Sequence, residues 1–285
     1  MGWRRLSASI PASLDDEIAA VLGAGSLGVE IVPAGAGLSA VRVYLGPADD
    51  AAAWRARAER ILGAHGIAPS DGAIELAEIE DGDWVLRWQS ALSPIALGAR
   101  FVVLPHEGLD APEGREAIRL VPGMAFGTGE HPTTRLCAQA LEAQVAPGSR
   151  WLDLGCGTGI LAIVAVFSGA VRVVALDADP EAAHVASEVV RANGLTGRIE
   201  VGTGSIGAVS GTFDGIVANI QASFFLAEAA ALSAALSPAG VLAISGFLVE
   251  DIPEIEAALS AARLTLFERS SDDPWACLVA RRAGS

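Results

Sequence analysis

Cysteine is scarce in this sequence, and the three that occur are not arranged in pairs. Cys137, Cys156 and Cys277 lie far apart, and none forms a CxxC motif. An odd, scattered set of thiols argues against both a disulfide framework and a structural zinc site. The protein is therefore expected to hold no metal and to work in a reducing compartment, the cytoplasm.

Positive charge is scarce as well. The 285 residues include 19 basic and 34 acidic side chains, which gives a net charge of −15. Such a surface repels phosphate backbones, so direct binding of DNA or RNA is not expected. A basic protein is a better partner for it.

Long apolar runs are almost absent. The N-terminus carries Arg4 and Arg5 but no apolar run after them, so it does not resemble a signal peptide. Residues 159–176 are long enough to suggest a transmembrane helix, but Gly169 and Arg172 interrupt them. A helix, a turn and a strand is the better interpretation, and we expect no membrane association.

The order of predicted elements divides the chain into three segments. Residues 1–88 follow a β-α-β-β-α-β order, which suggests a small ferredoxin-like α+β domain. Residues 89–125 are punctuated by prolines and are predicted to be a connector with two short strands, 101–104 and 117–121. From residue 126 onward, strands alternate with helices.

Short apolar strands with helical crossovers indicate a parallel sheet that is covered on both faces. The last two predicted strands are separated by only five residues, so they form a hairpin and the final strand runs antiparallel. The predicted strands are 150–154, 172–177, 199–201, 213–219, 240–245, 264–269 and 275–281, with helices at 159–167, 180–193, 222–236 and 251–262.

A glycine-rich loop, Asp153-Leu-Gly155-Cys-Gly157-Thr-Gly159, joins the first strand of this sheet to a helix. Glycines allow a ligand to approach the backbone closely, and the helix N-terminus beyond them attracts an anion. In an S-adenosylmethionine site the anion is the methionine carboxylate, and Asp153 can accept a hydrogen bond from the ammonium group. Gly155, Gly157 and Gly159 are therefore predicted to bind this cofactor.

A nicotinamide-dependent oxidoreductase is the alternative of a different class. Asp177 ends the next strand, 22 residues after Gly155, where a carboxylate can bind two ribose hydroxyls. Dinucleotide sites use the same device, so Asp177 does not discriminate. The spacing G-x-G-x-G, the acid before it and the terminal hairpin favour the methyltransferase.

A shaped loop, Pro122 to Thr134, precedes the first strand and is expected at the ligand edge of the sheet. Thr133 or Thr134 is predicted to cap the helix that follows. Phe126, Thr128 and Gly129 are predicted to contact the cofactor. Asn219, at the end of the strand 213–219, can accept a hydrogen bond from an amine or, alternatively, cap the helix 222–236.

Four motifs together resemble the bacterial methyltransferases that modify large-subunit ribosomal protein eleven: Pro122-Gly-Met-Ala-Phe-Gly-Thr-Gly-Glu-His-Pro-Thr-Thr134, Asp153-Leu-Gly-Cys-Gly-Thr-Gly-Ile-Leu-Ala162, Val217-Ala-Asn-Ile220 and Ser245-Gly246. The first is long and specific, whereas the glycine loop is common to many methyltransferases. The resemblance implies a doubly wound, seven-stranded, Rossmann-like class I methyltransferase sheet with an antiparallel last strand, assigned to residues 126–285.

The resemblance also implies an activity, which is methyl transfer from S-adenosylmethionine to lysine side chains and the N-terminal α-amine of a ribosomal protein. It implies that the N-terminal domain recognises this substrate, and we expect the protein to act as a monomer. It carries cofactor contacts to Thr134, Gly155, Asp177 and Asn219. Asn219 and the carbonyl of Ile220 are then predicted to orient the amine, as the catalytic residues.

Two departures from the family pattern leave the substrate open. Residues 201–205 lack the acid with which many methyltransferases bind adenine, and residues 221–224 replace a small apolar run beside the acceptor pocket. Another protein lysine or a small amine is therefore an alternative acceptor, and a binding module that has lost catalysis is a further alternative. The absence of an Asn-Pro-Pro-aromatic motif argues against transfer to a nucleic-acid base.

Overall fold

The computed structural model describes residues 3–23, 26, 28–46, 49–67, 74–79, 93–106, 108–120 and 129–282. The chain divides into two compact units, with the boundary at Leu92. The described residues up to 79 belong to the first unit, and those from Ser93 onward belong to the second. Residues 93–120, which the sequence assigns to a connector, thus belong to the second unit by their contacts.

The first unit is a four-stranded antiparallel sheet with two helices. Its strand order is β2-β3-β1-β4, which confirms the predicted ferredoxin-like fold. A 3₁₀ turn, Ala12–Leu14, leads into the first helix. The elements are β1 (Trp3–Pro11), α1 (Asp15–Gly23), β2 (Gly28–Gly35), β3 (Leu38–Leu45), α2 (Ala51–Ala64) and β4 (Ile74–Ile79).

Alternation along β1 accounts for the core of this unit. Leu6, Ala8 and Ile10 are fully buried, and they share one hydrophobic cluster with side chains of both helices. Helix α2 begins after Asp50, whose carboxylate accepts hydrogen bonds from the backbone N–H groups of Ala52 at 2.9 Å and Ala53 at 3.3 Å. An aspartate at this position satisfies amides that have no partner within the helix.

The second unit is built on a seven-stranded sheet with the order β10-β9-β8-β11-β12-β14-β13. The first five strands in that order are parallel, and β14 runs antiparallel to both of its neighbours. The elements are α3 (Pro132–Gln144), β8 (Arg150–Leu154), α4 (Ile160–Ser168), β9 (Arg172–Asp177), α5 (Pro180–Ala192), β10 (Ile199–Thr203), β11 (Phe213–Asn219), α6 (Ala222–Ala235), β12 (Leu236–Leu248), α7 (Ile252–Ala261), β13 (Leu264–Asp272) and β14 (Trp275–Arg282).

This topology confirms the predicted doubly wound sheet with an antiparallel last strand. The predicted bounds of β8, β9 and β11 match the structure. The hairpin between β13 and β14 is tighter than predicted, because β13 continues to Asp272 and only Asp273 and Pro274 separate the strands. The stretch 159–176 is a nine-residue helix, a turn at Gly169 and a strand. Over the described ranges, none of the helices is long and apolar enough to span a membrane.

Two hydrophobic cores cover the two faces of this sheet. One contains side chains of α3, α4 and α5, and the other contains side chains of α6 and α7. Trp151 on β8 is 1% exposed, and its ring lies against the backbone of Gly215 on β11, where an added Cβ would come within 2.3 Å of it. Because helices cover both faces of the sheet, the strands are buried on both sides and appear in the sequence as continuous apolar runs. This is why they could be predicted from the sequence.

A separate three-stranded sheet packs against the first of these cores. It consists of β5 (Ile95–Leu97), β6 (Phe101–Leu104) and β7 (Glu116–Arg119), of which β5 was not predicted. Glu142 on α3 accepts hydrogen bonds from the backbone N–H groups of Ala99 at 3.0 Å and Arg100 at 2.8 Å. The Asn193 amide bonds both the N–H and the carbonyl of Arg119. These contacts tie the small sheet to the helices of the second unit.

Candidate active site

The carboxyl ends of four parallel strands meet at one edge of the large sheet. The register pairs Leu154 with Leu176 and Ala218, and it pairs Asn219 with Ser245. Gly155 follows β8, Asp177 and Asn219 end β9 and β11, and Gly246 follows the last residue of β12 that pairs with β11. In open α/β sheets ligands bind at this edge, because the loops that leave the strands form a crevice there.

The loop after β8 turns through three glycines that adopt positive φ angles. The values are +62° at Gly155, +52° at Gly157 and +76° at Gly159, which is the N-cap of α4. Side chains are disfavoured in this conformation, so the repeated glycines have a geometric cause. The loop is anchored by hydrogen bonds from Cys156 N to the carbonyl of Leu176 and from Gly159 N to the carbonyl of Cys156.

Asp153 lies beneath this loop and is fully buried. Its Oδ2 accepts a hydrogen bond from Ala162 N at 2.9 Å, whereas its Oδ1 has no hydrogen-bond partner among the residues described. Burial raises the pKa of this carboxyl to about 8, and the charge of Asp177 adds to the shift. A buried carboxylate oxygen without a donor is costly, and a cationic ligand group would relieve it.

Asp177 ends β9 and braces the same loop. Its Oδ2 accepts a hydrogen bond from Gly157 N at 2.9 Å, and its Oδ1 accepts one from Asp179 N at 3.0 Å. The residue is partly exposed. A carboxylate oxygen has two lone pairs, so both oxygens can still accept bonds from ligand hydroxyls.

On the other side of the edge, Asn219 contacts the first turn of α3. Its Nδ2 donates to Thr134 Oγ1 at 3.4 Å, and Thr134 is 1% exposed. This leaves the amide oxygen of Asn219 for another donor. The alternative in which Asn219 caps the next helix is wrong, because the N-cap of α6 is Gln221.

The predicted cap of α3 also needs correction. The N-cap is His131, whose ring nitrogen accepts from Thr133 N, and neither Thr133 nor Thr134 has this role. Pro132 occupies the first helical position, where a backbone N–H has no partner within the helix and its absence costs nothing. The residue before it, His131, is therefore the cap. His131 also lies edge-on to Trp275, with ring centroids 4.7 Å apart. A structural role for this histidine accounts for its contacts.

Ile220, the residue after Asn219, is enclosed by two glycines. A Cβ at Gly155 would lie 2.8 Å from Ile220 Cγ1, and one at Gly246 would lie 2.6 Å from the carbonyl oxygen of Ile220. Ile220 N donates to the carbonyl of Ser245 at 3.0 Å. Gly246 was not predicted as a site residue, although it stands in one of the motifs that carry the resemblance.

Of the remaining predicted cofactor contacts, the structure describes Gly129 but not the other two. Gly129 adopts a φ of +92° and lies close to Val103 on β6 and to Ile160 at the start of α4. Phe126 and Thr128 lie outside the described residues. Beyond β10, Gly204 N donates to the Asp177 carbonyl at 2.7 Å, and Thr203 and Ser205 on either side of it are exposed.

These features fit S-adenosylmethionine. The orphan oxygen of Asp153 can accept the ammonium group, the start of α4 suits the carboxylate, and Asp177 suits the ribose hydroxyls. Two features define the class of the protein. One is the strand order, in which the antiparallel β14 lies between β12 and β13, and the other is the glycine loop. It is a class I S-adenosylmethionine-dependent methyltransferase.

Comparison with known proteins gives the family. A sequence profile described as "Ribosomal protein L11 methyltransferase (PrmA)" matches residues 34–283. The ribosomal protein L11 methyltransferase of Geobacter sulfurreducens is 41% identical over 249 residues, covering 86% of this chain and 82% of the relative. That of Geobacter sp. strain M21 is 34% identical and covers 98% of both chains. The chain therefore belongs to the ribosomal protein L11 methyltransferase family.

A solved structure agrees with this assignment. The crystal structure of a ribosomal protein L11 methylase from Lactobacillus delbrueckii subsp. bulgaricus superposes with a TM-score of 0.60 at 29% identity. The match covers 67% of this chain and 98% of that chain.

Proposed function

We propose that this protein methylates lysine side chains and the N-terminal α-amine of ribosomal protein L11. The observation that carries the proposal is the pairing of a methyl-donor site with Asn219, whose amide nitrogen donates to Thr134 Oγ1 at the same sheet edge. The names of the relatives support L11 as the acceptor. Residues 221–224 depart from the family pattern beside the acceptor pocket. Methylation of a lysine in another protein is therefore the competing outcome of the test.

The proposal divides the site into two halves. The donor half consists of Asp153, Asp177 and the glycine loop 155–159, and it holds the cofactor. Asp153 binds the ammonium group, Asp177 the ribose hydroxyls, and the start of α4 the carboxylate. Phe126, Thr128 and Gly129 are proposed to complete the donor half.

The acceptor half consists of Thr134, Asn219 and Ile220. When bound, S-adenosylmethionine supplies a methyl group on a positively charged sulfur, which a neutral amine can attack directly. The protein must therefore hold the amine in line with that methyl and keep it unprotonated. Asn219 Oδ1 and the Ile220 carbonyl are acceptors for the amine N–H groups, so they leave its lone pair directed at the methyl.

The two acceptor amines make different demands. Deprotonating a lysine with a pKa near 10.4 costs roughly 4.6 kcal/mol at pH 7, whereas an α-amine with a pKa near 8 costs about 1 kcal/mol. The positively charged sulfur of the cofactor disfavours a second positive charge nearby and so lowers the pKa of the acceptor amine. No covalent enzyme intermediate is required, because the amine is itself the nucleophile.

The rest of the organisation is proposed with the activity. Residues 1–88 form the substrate-recognition domain, 89–125 the connector, and 126–285 the catalytic domain. The protein acts as a monomer in the cytoplasm on a ribosomal protein, without direct contact to nucleic acid or membrane. The acidic net charge of −15 suits a basic protein substrate.

The test is label transfer from methyl-labelled S-adenosylmethionine into a complete ribosomal-protein extract, followed by mass mapping of the labelled chain. The enzyme sequence contains no lysine, so any methyl-lysine must come from a substrate. Label on lysines and the α-amine of L11 is the expected result. Label on a different protein, with none on L11, would replace the proposed substrate but not the reaction, and no label on any amine would overturn the proposed function.

A further inference from the structure

Strand β12 lies against the backbone of Ile220 at Gly246, the residue after its last pair with β11. At Gly246, a built Cβ would come within 2.6 Å of the Ile220 carbonyl oxygen and within 2.8 Å of both its carbonyl carbon and its nitrogen. Real Cβ atoms do not approach other atoms so closely. Gly246 also has a φ of +96°, a conformation that other residues rarely adopt. Two independent constraints therefore exclude a side chain at this position.

The peptide of Ile220 cannot move aside without breaking the sheet edge. Ile220 N donates to the Ser245 carbonyl at 3.0 Å, and Asn219 is paired in register with Ser245. The two residues proposed to orient the amine are thus held by the residue immediately before Gly246. A change at Gly246 must displace either β12 or the Asn219–Ile220 segment.

Resting on the proposed function, we infer that Gly246 is a positioning residue for the amine acceptor. Its missing side chain lets the Ile220 peptide approach β12 closely at Gly246, and this contact sets the directions of the Ile220 carbonyl and the Asn219 amide. Gly155 differs, because a Cβ there would meet only the side-chain atoms of Ile220, at 2.8 and 2.9 Å.

The test substitutes Gly246→Ala and measures two quantities on the same full-length sample. Calorimetric titration with S-adenosylhomocysteine gives the stoichiometry and affinity of the donor half, and transfer to L11 at saturating S-adenosylmethionine gives kcat. We expect an unchanged stoichiometry and Kd with a fall of about 100-fold in kcat, the size of effect that follows a misplacement of about 1 Å. A purely structural role would lower stoichiometry and kcat together.

Gly211→Ala is the matched control. Gly211 has a similar φ of +83° in the same unit, but nothing lies within 4 Å of its built Cβ. It should lose stability and keep kcat. If Gly246→Ala does not fold, Gly246→Asn provides the same Cβ contact with less backbone strain, because asparagine tolerates positive φ.

Three results would overturn the inference. Normal kcat in a folded Gly246→Ala or Gly246→Asn protein would show that the contact does not position the acceptor. An equal loss in Gly211→Ala would assign the effect to backbone strain. Failure of the wild-type protein to methylate any amine would overturn the proposed function itself. This outcome can be told apart from failure of the Gly246 inference, because it is seen in the wild type before any variant is compared.

Discussion

The donor and acceptor halves of the site use glycine for opposite purposes. In the donor half, Gly157 and Gly159 adopt positive φ angles that turn the backbone of the proposed cofactor loop. Beside the acceptor half, Gly246 allows another part of the protein, the backbone of Ile220, to approach. In our proposal, the glycines of the donor half shape a loop for the cofactor, whereas Gly246 makes room for the protein's own backbone. We therefore expect substitutions in the two halves to affect different measured quantities.

The largest expected effect is that of Asn219→Ala on methyl transfer. Loss of the amide oxygen removes an acceptor that orients the amine, so kcat should fall by about 10² to 10³, a range typical of a lost preorganised polar group. The Kd for S-adenosylhomocysteine, measured by calorimetry, should change much less.

Asn193→Ala is the matched control for this variant. The Asn193 side chain makes three hydrogen bonds, to Arg119 and Val189, and the residue caps the C-terminus of α5. Its loss should lower the free energy of unfolding and leave kcat intact. If Asn219→Ala retains normal turnover with unchanged cofactor affinity, the orienting role is wrong.

Asp177→Ala should show the reverse pattern. Removing this carboxylate deletes the proposed ribose contacts and also the brace on Gly157 N. Charged hydrogen bonds contribute about 1.5 to 3 kcal/mol each, so the Kd for the cofactor should rise by at least about tenfold. At saturating cofactor the kcat should stay close to that of the wild type.

The control for Asp177 stands two residues away. The side chain of Asp179 caps α5 by accepting a hydrogen bond from Glu181 N at 2.9 Å. Asp179→Ala should cost about 1 kcal/mol of stability with no change in cofactor Kd. A Kd change as large as that of Asp177→Ala would mean that the helix position, rather than the carboxylate, determines affinity.

Asp153 makes the donor half sensitive to pH. Burial raises the pKa of its carboxyl to about 8, so the folded protein keeps a proton that the unfolded chain loses near pH 4. Stability should therefore fall as pH rises from about 4 to 8, because the folded state binds more protons there. Asp153→Asn should lack this part of the slope in urea unfolding.

Cofactor affinity should change in the opposite direction. An ionised Asp153 binds the ammonium group better, so affinity should increase by up to about tenfold per pH unit as the pH approaches 8. Calorimetry in buffers of different ionisation enthalpy should detect proton release by the wild type. Equal proton release by Asp153→Asn would show that another group titrates.

Thr134→Val tests which half this residue belongs to, and its effect should be the smallest. The resemblance implies a cofactor contact, whereas the structure places Thr134 Oγ1 against the Asn219 amide. Loss of one neutral hydrogen bond of about 1 kcal/mol should lower kcat roughly fivefold, and Thr134→Ser should restore it. A change in cofactor Kd with normal kcat would move Thr134 into the donor half.

The sequence was sufficient to place Asp153, Gly155, Asp177 and Asn219 at the ends of their strands, but it did not indicate the contact of Gly246. Buried strands form apolar runs, and the glycines and acids that follow β8 and β9 are local in the chain, so Gly155, Asp153 and Asp177 could be placed by spacing alone. The contact between Gly246 and Ile220 depends on the packing of two strand ends, which no local pattern records. The same holds for Glu142 on α3, which binds the turn between β5 and β6.

Two further differences between prediction and structure, the cap of α3 and the strand β5, have local causes. The cap of α3 was predicted two or three residues too late because threonine is the more usual cap, whereas the helix begins at Pro132 and His131 supplies the acceptor. The strand β5 has only three residues and shows no clear alternation, so its pairing with β6 decides its conformation.

The most direct test of the two-half account is the Asp177→Ala/Asn219→Ala double variant, assayed for cofactor Kd and for single-turnover transfer to L11 at saturating cofactor. Independent halves predict the Kd of Asp177→Ala combined with the transfer rate of Asn219→Ala, because separate sites give additive free energies. A double variant whose Kd or rate departs from these single-variant values by more than about twofold, which corresponds to a coupling of about 0.4 kcal/mol, would contradict the account.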